Sequence, residues 1–277
     1  MYQEITYDVD DPVAVITMNR PEALNALTPR MMAEIRHALA AAEKDPAVVG
    51  IVLTGAGRGF CAGADIAGLD ATASGESGPR EDLSALDASP GDPAMGENFQ
   101  VTFTYILSVT KPVIAAINGP CAGLGFCFAL LCDMRFAERQ AKFTTAFSQR
   151  GLIAEHASSW LLPRLIGPGK ALDLLWSARK FTGDEAFALG VAERLVEQGE
   201  SVQAARDYIR ELAAVASPTS FKVIKAQVYR HLNMALGEAM RESNTLMADS
   251  LEREDFKEGV RSFIERRPPK FRRIGEQ

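Results

Sequence analysis

Two glycine-rich stretches decide the fold of this chain: GFCAGAD at residues 59–65 and NGPCAGLG at residues 118–125. Each follows an apolar run, residues 49–53 and residues 112–117, that is typical of a buried strand. Glycine at the end of a strand lets the backbone turn tightly and approach a ligand, which leaves peptide N–H groups free to point inward. Two such N–H groups predict an oxyanion hole, the pair of donors that stabilises negative charge on a carbonyl oxygen.

The composition is that of an ordinary globular protein. The chain has 277 residues, of which 47% are hydrophobic and 24% are charged, and this length favours one compact core with an appendage. No uninterrupted apolar run reaches the roughly eighteen residues of a membrane-spanning helix. The acidic start, with Glu4, Asp8 and Asp10, lacks the basic and apolar segments of a secretion signal. We therefore expect a cytoplasmic protein without a membrane partner.

The net charge of -6 disfavours nonspecific binding to nucleic acid. The C-terminal tail is locally basic, with Arg266, Arg267, Lys270, Arg272 and Arg273. A solvated terminal segment is the simpler interpretation of this tail, so we expect no nucleic-acid partner.

The cysteines and histidines show no metal-binding spacing. The four cysteines are Cys61, Cys121, Cys127 and Cys132, and the three histidines are His37, His156 and His231. The cysteines form no CxxC pair, most of them lie within or beside apolar runs, and the histidines are scattered. We predict buried free thiols, with neither a bound metal nor disulfides.

The first part of the chain predicts an α/β order. Alternating apolar residues indicate an antiparallel hairpin with strands over residues 3–9 and 12–18. Thr28 followed by Pro29 is a good N-cap and first-turn pair, which predicts a helix through about Ala42. Strand, turn and helix then alternate to about residue 196, and this order favours a parallel sheet with crossover helices.

Beyond about residue 200 the sequence has the periodicity of helices alone. Helical patterns occupy roughly residues 201–215, 236–249 and 252–265. Ser217 with Pro218 opens another helix, and Thr182 to Glu185 is a capping box for a short helix that Gly190 closes. Residues 66–97 differ from both parts, because they are rich in small and polar residues and lack a clear apolar period. An insert of this length is usually functional or mobile.

The run GAGRG at residues 55–59 offers an alternative, a dinucleotide-binding loop. Its spacing is not GxGxxG, and residues 60–63 do not resemble the start of a long helix. Because the fingerprint has meaning only in a strand, turn and helix setting, we disfavour a nucleotide cofactor.

The two glycine-rich stretches carry a family resemblance together with four further motifs. These motifs are VAVITMNRP at residues 13–21, NAL at 25–27, LPRLIG at 162–167 and RRPP at 266–269. In this order and spacing the chain resembles the enoyl-CoA hydratase/isomerase superfamily, also called the crotonase family, nearly from end to end. The resemblance implies an α/β fold, a crotonase-like spiral of repeated β-β-α turns over residues 1–200. A helical region over residues 201–277 would then pack in homotrimers, often paired into hexamers.

The resemblance also implies the partner and assigns roles in the site. The partner is an acyl-CoA thioester substrate, with no cofactor beyond the coenzyme A that the substrate carries. The oxyanion donors would be the N–H groups of Ala64 and Leu124, and a helix predicted over residues 125–131 would add positive potential at Leu124. Residues expected to contact substrate or coenzyme A are Ala26, Arg58, Ala62, Asp65, Gly123 and Phe147, with the basic tail as a further candidate. Residues 66–97 would cover the acyl group.

The acid–base residues depart from the family's pattern. Hydratases of this family usually carry two glutamates, and the matching positions here hold Cys127 and Phe147. Cys127 could be a thiolate at a helix start, but its apolar neighbours favour an inert packing residue, and Phe147 favours an apolar wall of the acyl pocket. Glu155 remains as the well-placed carboxylate, at the position where the dehalogenase branch of the family has its nucleophilic aspartate. It is the candidate general base, general acid or nucleophile.

Glu155 and His156 each have a structural interpretation as well. Glu155 could simply lie in the first turn of the helix leading to Trp160, where the helix dipole would stabilise it. His156 could orient Glu155 or donate a proton, but consecutive residues on a helix point about 100° apart. A partnered structural histidine is therefore favoured.

The leading function is enoyl-CoA hydratase, the addition of water to a trans-2-enoyl-CoA. Within the family, the alternatives are a double-bond isomerase and a hydrolytic enzyme for aryl or branched acyl-CoA, with Glu155 as base or nucleophile. Outside the enzymes, the alternative is a noncatalytic acyl-CoA-binding protein that kept the fold.

Overall fold

We describe the chain from a computed structural model, which covers residues 2–65, 68, 70, 74–75 and 81–276. The strands among these residues are β1 (Ile5–Asp10), β2 (Val13–Met18), β3 (Gly50–Gly55), β4 (Val113–Ile117), β5 (Cys121–Ala122), β6 (Met134–Glu138), β7 (Lys142–Thr144), β8 (Phe181–Thr182) and β9 (Arg194–Val196). Much of residues 66–80 lies outside the described residues, so the role of the 66–97 insert over the acyl group stays a prediction.

The helices among the described residues follow the order that the sequence predicts. They are α1 (Pro29–Lys44), α2 (Tyr105–Ser108), α3 (Leu124–Leu131), α4 (Ser158–Ile166), α5 (Pro168–Ser177), α6 (Gly183–Leu189), α7 (Ser201–Val215), α8 (Pro218–His231), α9 (Leu236–Glu252) and α10 (Glu254–Glu265). Two predicted caps are confirmed: the Met31 N–H donates to Thr28 Oγ1 at 3.0 Å, and the Ser220 N–H donates to Ser217 Oγ at 3.2 Å.

The main sheet has six strands in the order β1-β2-β3-β4-β6-β9. β1 and β2 pair antiparallel, with Ile5 opposite Met18, which confirms the predicted hairpin. Every later pair in this sheet is parallel, as the alternation of strands and helices predicts. A second sheet has the order β5-β7-β8. The mixed α/β architecture with a helical C-terminal region is the predicted one.

β2 is buried on both faces, as expected for a strand with layers on either side. Val13 and Val15 point to one face, where they share a cluster with Ile209 of α7. The alternate residues Ile16 and Met18 point to the other face and join the larger core that includes α1. The first helix of the C-terminal region therefore covers one face of the main sheet.

The capping box at Thr182 forms only in part. The Glu185 N–H donates to Thr182 Oγ1 at 3.2 Å, and Gly190 ends α6 in the left-handed conformation, as predicted. The Glu185 carboxylate lies 2.7 Å from the Arg179 guanidinium, so it is engaged in an ion pair. In a full capping box the Glu185 carboxylate would accept the Thr182 N–H. Here Arg179 binds that carboxylate instead, and the sequence pattern of a capping box does not reveal this arginine.

One carboxylate joins the C-terminal helices to the sheet. The Lys225 ammonium lies 2.7 Å from Asp133 Oδ2, and the Tyr229 hydroxyl donates to Asp133 Oδ1 at 3.0 Å. Asp133 Oδ2 also accepts the Val113 N–H at 2.7 Å, at the start of β4. The side chains of Lys225 and Asp133 are only 9% and 17% exposed, so water screens this pair poorly.

The last three helices, together with Leu232 directly after α8, carry apolar side chains that a single chain leaves exposed. They are Ile224, Val228, Leu232, Leu236, Met240, Met247, Leu251, Phe256, Val260, Phe263 and Ile264. Apolar surface of this extent usually marks an interaction site. Within the described residues, none of the helices has the length and apolar character needed to cross a bilayer.

A matched pair of substitutions on α8 tests the role of Asp133. Lys225→Met leaves a shielded carboxylate without its cation and should lower the free energy of unfolding by about 3 kcal/mol. Lys222 pairs with Asp92 at 3.1 Å, but its side chain is 41% exposed. Lys222→Met should therefore cost less than about 1 kcal/mol. Denaturant titrations measure the free energy of unfolding of both variants. Equal losses of stability in Lys225→Met and Lys222→Met would contradict the role assigned to Asp133.

Candidate active site

The two glycine-rich stretches lie side by side. An isolated parallel bridge joins Cys61 to Cys121, so the stretches run as neighbouring extended segments. A Cβ on Gly63, which has a φ of +110°, would lie 3.1 Å from the Ala122 carbonyl oxygen. A Cβ on Gly125 would lie 2.5 Å from the Cys61 carbonyl oxygen, which real structures do not allow. Glycine is required at Gly125 because the backbones touch, and it is favoured at Gly63 by the positive φ together with the close carbonyl oxygen.

Two backbone N–H groups remain free where these stretches meet. The surrounding groups are paired: Leu27 N–H donates to Gly63 O at 2.8 Å, and Gly123 N–H donates to Thr144 O at 3.1 Å. Within the described part of the chain, neither the Ala64 N–H nor the Leu124 N–H donates to a protein acceptor. Leu124 is the first residue of α3, so the helix N-terminus adds positive potential there.

Buried polar side chains hold the first stretch in place. Asn25 is fully buried, and its amide nitrogen donates to the Ala56 and Gly59 carbonyl oxygens at 2.9 and 2.8 Å. Arg20 donates to Asp65 Oδ2 at 2.9 Å and to the Ala26 carbonyl oxygen at 2.8 Å. Asp65, predicted to contact the substrate, is thus placed in an ion pair that supports the loop.

Ala64 and Leu124, whose N–H groups are free, both line a cavity of about 1120 Å³. Its wall includes most of the residues predicted from sequence: Ala26, Arg58, Ala62, Ala64, Gly123, Leu124, Phe147 and Glu155. It also includes residues that sequence reasoning did not name, among them Leu24, Gln149, Arg150, Leu152, Arg179 and Lys180. The structure therefore brings the two donors, the apolar wall and the candidate carboxylate to one space.

Basic side chains are prominent on the cavity wall. Arg179 is paired with Asp173 and Glu185, whereas Arg58 and Lys180 have no carboxylate within 4.0 Å in the part of the chain that the structure describes. Unpaired cations suit an anionic ligand. No sequence signal distinguished Lys180, since a basic residue beside a short strand also fits an ordinary solvated surface.

The basic tail, by contrast, is engaged within the chain. Arg267 lies 2.6 Å from Glu258 of α10, and Arg273 donates to the Ala47 carbonyl oxygen at 2.9 Å. Neither arginine is on the cavity wall. In a single chain these two residues stabilise the docking of the tail.

Glu155 does not lie in a helical turn. α4 begins at Ser158, after His156 and Ala157 with φ of +49° and +63°. These two left-handed residues separate Glu155 from the helix, so the structural alternative that places Glu155 in the first turn is wrong. Its side chain is 32% exposed, with one oxygen 3.9 Å from His156 Nε2. Glu155 therefore reaches the cavity wall from a non-helical segment that precedes the helix.

His156 shares the cavity wall with Glu155. The expectation that only one of these neighbours faces the substrate assumed a helix, and the non-helical backbone removes that limit. The imidazole packs edge-on against the Phe103 ring, with centroids 4.9 Å apart. Burial lowers the pKa of His156, and the Glu155 carboxylate opposes part of this effect.

Cys127 is a packing residue. It is fully buried on α3, and its thiol donates to the Glu155 carbonyl oxygen at 3.5 Å. Burial raises the pKa of the Cys127 thiol to about 12, so a thiolate is not formed at neutral pH. Phe147 is 4% exposed and contributes an apolar wall. Within the described residues, no three side chains of the His, Cys, Asp and Glu types gather as a metal site requires.

Comparison with known proteins identifies the family of this chain. Residues 8–274 match the family model described as enoyl-CoA hydratase/isomerase. A crotonyl-CoA hydratase of Syntrophomonas wolfei is 32% identical, with 98% of each chain covered. A 1,2-epoxyphenylacetyl-CoA isomerase of Escherichia coli is 33% identical, with 98% of this chain and 99% of the relative covered. The crystal structure of an enoyl-CoA hydratase from Bacillus anthracis superposes with a TM-score of 0.83 at 26% identity, over 99% of this chain and 100% of the other.

The buried thiols lead to a chemical prediction. All four cysteines are buried, and burial raises the pKa of Cys61, Cys127 and Cys132 to about 12. The native protein at about pH 8 should not react with a chromogenic disulfide reagent, because the reagent attacks thiolates. After unfolding, all four thiols should react. Fast reaction of one thiol in the native protein, lost in Cys127→Ser, would contradict the packing role.

Proposed function

This chain belongs to the enoyl-CoA hydratase/isomerase family, and on that premise we propose that it adds water to a trans-2-enoyl-CoA. One observation carries the proposal: the free N–H groups of Ala64 and Leu124 face a cavity that also presents the Glu155 carboxylate. The two N–H groups are suited to donate hydrogen bonds to a thioester oxygen, and the carboxylate is suited to accept one from a water molecule. The hydratase names among the relatives support the same reaction.

The two N–H groups would polarise the thioester carbonyl. A thioester oxygen that accepts both hydrogen bonds withdraws electrons through the conjugated double bond, which makes the β carbon electrophilic. When water adds, the negative charge moves to the same oxygen, where the donors and the N-terminus of α3 stabilise it. These donors are fixed by the fold, so they need not reorganise during the reaction.

Glu155 is the carboxylate that we assign to the water. Cys127 and Phe147 replace the two usual glutamates, and neither side chain exchanges a proton at neutral pH. The Glu155 carboxylate is partly exposed at the cavity wall and can accept a hydrogen bond from a water held there. It would support removal of the proton as the water attacks the β carbon.

Isomerisation is the second candidate reaction. The presence of Cys127 and Phe147 at the positions of the two usual glutamates favours it. Moving a double bond needs a proton to travel between two carbons, which one acid–base centre can achieve without a second carboxylate. An Escherichia coli relative that is 33% identical is named as a 1,2-epoxyphenylacetyl-CoA isomerase, so an isomerase name occurs beside the hydratase names among the relatives. Hydrolysis of aryl or branched acyl-CoA through Glu155, and binding without catalysis, are the other outcomes that assays would reveal.

The coenzyme A part of the substrate would be held by the basic wall. Arg58 and Lys180 line the cavity without a carboxylate partner within 4.0 Å among the described residues, so both are available to phosphate groups. Ala26 and Ala62, which have only methyl side chains, and Gly123, which has none, lie on the same wall and leave room for the substrate. Coenzyme A is thus a portion of the substrate, and we assign no separate cofactor.

We also assign self-association to the exposed apolar face of α8, α9 and α10. Within one chain Phe263 and Ile264 are 86% and 73% exposed, which is unfavourable for side chains of this type in water. A homotrimer, or a pair of trimers, would bury this face. The free buried thiols support a reducing compartment, which agrees with a cytoplasmic location.

A proline substitution tests both the reaction and the oxyanion hole. Leu124 is the first residue of α3, where proline is tolerated, so Leu124→Pro should remove one donor without unfolding the helix. The rate of crotonyl-CoA hydration, followed by loss of the conjugated thioester absorbance, should fall about 10²- to 10³-fold. Leu124→Ala is the control, because it keeps the N–H and should stay within about tenfold of wild type.

Full turnover by folded Leu124→Pro protein would reject the oxyanion assignment. A wild-type protein that binds crotonyl-CoA but leaves it unchanged would reject hydration. Activity on an aryl acyl-CoA would then identify a hydrolytic enzyme, and binding without any turnover would identify a noncatalytic acyl-CoA-binding protein.

The assembly is tested by changing its apolar face. Phe263→Asp places a charge where the proposed contact is dry and should convert the assembly to monomers, since burying an unpaired charge is costly. The 30.0 kDa chain makes monomer and trimer easy to separate by sedimentation. Val9→Asp, at an exposed apolar residue of the edge strand β1, is the control and should not change the mass. A wild-type monomer at micromolar concentration would contradict the assignment.

A further inference from the structure

The pair formed by Glu155 and His156 is the most unusual feature of the cavity wall. Both side chains line the cavity, and Glu155 Oε2 lies 3.9 Å from His156 Nε2. Both His156 and the following Ala157 have left-handed backbone, which is unfavourable for residues other than glycine. Such strain persists only where surrounding structure enforces it, and it concentrates at functional sites. The backbone is therefore bent in a way that presents both side chains together.

Hydration requires a group that carries a proton. The oxygen of water bonds to the β carbon, and a proton must reach the α carbon to complete the product. In this chain the positions of the usual glutamates hold a neutral thiol and a phenyl ring, so neither can carry the proton. An imidazole is the side chain best suited to accept and return a proton near neutral pH.

The surroundings of His156 keep the imidazole neutral before reaction. Burial lowers its pKa, and Glu155 is the charged group that faces it. Phe103, packed on the ring, carries no charge, and Cys127 of α3 is a neutral thiol. The other charged residues of the cavity wall are Glu22, Arg58, Arg150, Arg179 and Lys180. A neutral imidazole has one nitrogen free to accept a proton.

We propose that His156 is a catalytic residue that carries the proton from water to the α carbon, with Glu155 as its charged partner. This assignment rests on the proposed hydratase function. As the water O–H bond breaks, the proton passes to the unprotonated imidazole nitrogen and the oxygen bonds to the β carbon. The π electrons of the double bond move into the enolate held by the Ala64 and Leu124 N–H groups. The imidazolium then gives its proton to the α carbon, and the imidazole returns to the neutral form.

Glu155 has a defined part in this cycle. An imidazolium in a half-buried site is costly unless an anion lies close to it. The carboxylate 3.9 Å from Nε2 supplies that charge while its second oxygen remains available to orient the water. The pair thus divides the work of the two usual glutamates between an anion and a proton carrier.

The test uses a reaction that needs the proton carrier but not hydration. Butyryl-CoA has no double bond to hydrate, yet its α hydrogens should exchange with deuterium when the oxyanion hole stabilises the enolate and His156 accepts the proton. His156→Asn is the informative variant, because asparagine tolerates the left-handed backbone and the fold should be kept. His37→Gln is the control, since His37 lies outside the cavity and contacts Tyr2 at 2.7 Å.

We expect wild type and His37→Gln to exchange at equal rates, and His156→Asn to exchange at least about 10²-fold more slowly. Exchange in His156→Asn within about threefold of wild type would overturn the assignment, and so would absence of exchange in wild type. Crotonyl-CoA hydration is measured in parallel. Exchange that depends on His156, without hydration, would reject the proposed function while retaining the proton carrier.

The pH dependence separates a proton carrier from a structural histidine. Exchange requires neutral His156, so kcat/KM should fall only as the pH drops below the ordinary imidazole pKa of about 6.5 and through the lowered pKa of His156. Glu155→Gln removes the anion that raises this pKa, so the rate should fall and the acid limb should move to lower pH. An acid limb that is unchanged in Glu155→Gln and His156→Asn would contradict the proposal.

Discussion

The close contact of two backbone segments is the constraint on which the site depends. Gly63 and Gly125 lie where any Cβ would press on the opposing backbone, so the segments around Cys61 and Cys121 approach as neighbouring strands. Backbone groups beside this contact are hydrogen-bonded to each other, as in the bond from Ala122 N–H to Cys61 O. The N–H groups of Ala64 and Leu124 have no backbone acceptor among the described residues. The two free N–H groups are thus a product of backbone packing, and no side chain at these positions is needed to create them.

The rest of the fold keeps this contact rigid. The parallel sheet places the ends of β3 and β4 at one edge, from which the two stretches leave. Asn25 fills the space beneath the first stretch with hydrogen bonds, and α3 continues directly from the second. Because both donors belong to packed elements, their separation is fixed before a substrate arrives, and electrostatic stabilisation of an enolate needs this rigidity.

The sequence predicted the fold and the place where two N–H groups stay free, but not the backbone conformation at Glu155 and His156. Caps such as Thr28 and Ser217 act locally, so the starts of α1 and α8 could be predicted from a few residues. The two glycine-rich stretches are equally local signals, so the tight turns and close backbone contact could also be predicted from them. By contrast, the left-handed backbone at His156 and Ala157 involves no glycine and is imposed by tertiary packing, so the sequence indicated a helical turn instead. Lys180 reaches the cavity for the same nonlocal reason.

The proposed reaction depends on two backbone N–H groups that polarise the thioester carbonyl. The most direct measurement is the isotope-edited infrared stretching frequency of butyryl-CoA labelled with carbon-13 at the thioester carbonyl, bound to the wild-type protein. We expect a lower frequency than for the same thioester in water, because hydrogen bonds from two fixed donors weaken the carbonyl double bond. A bound frequency equal to or above the value in water would contradict the claim.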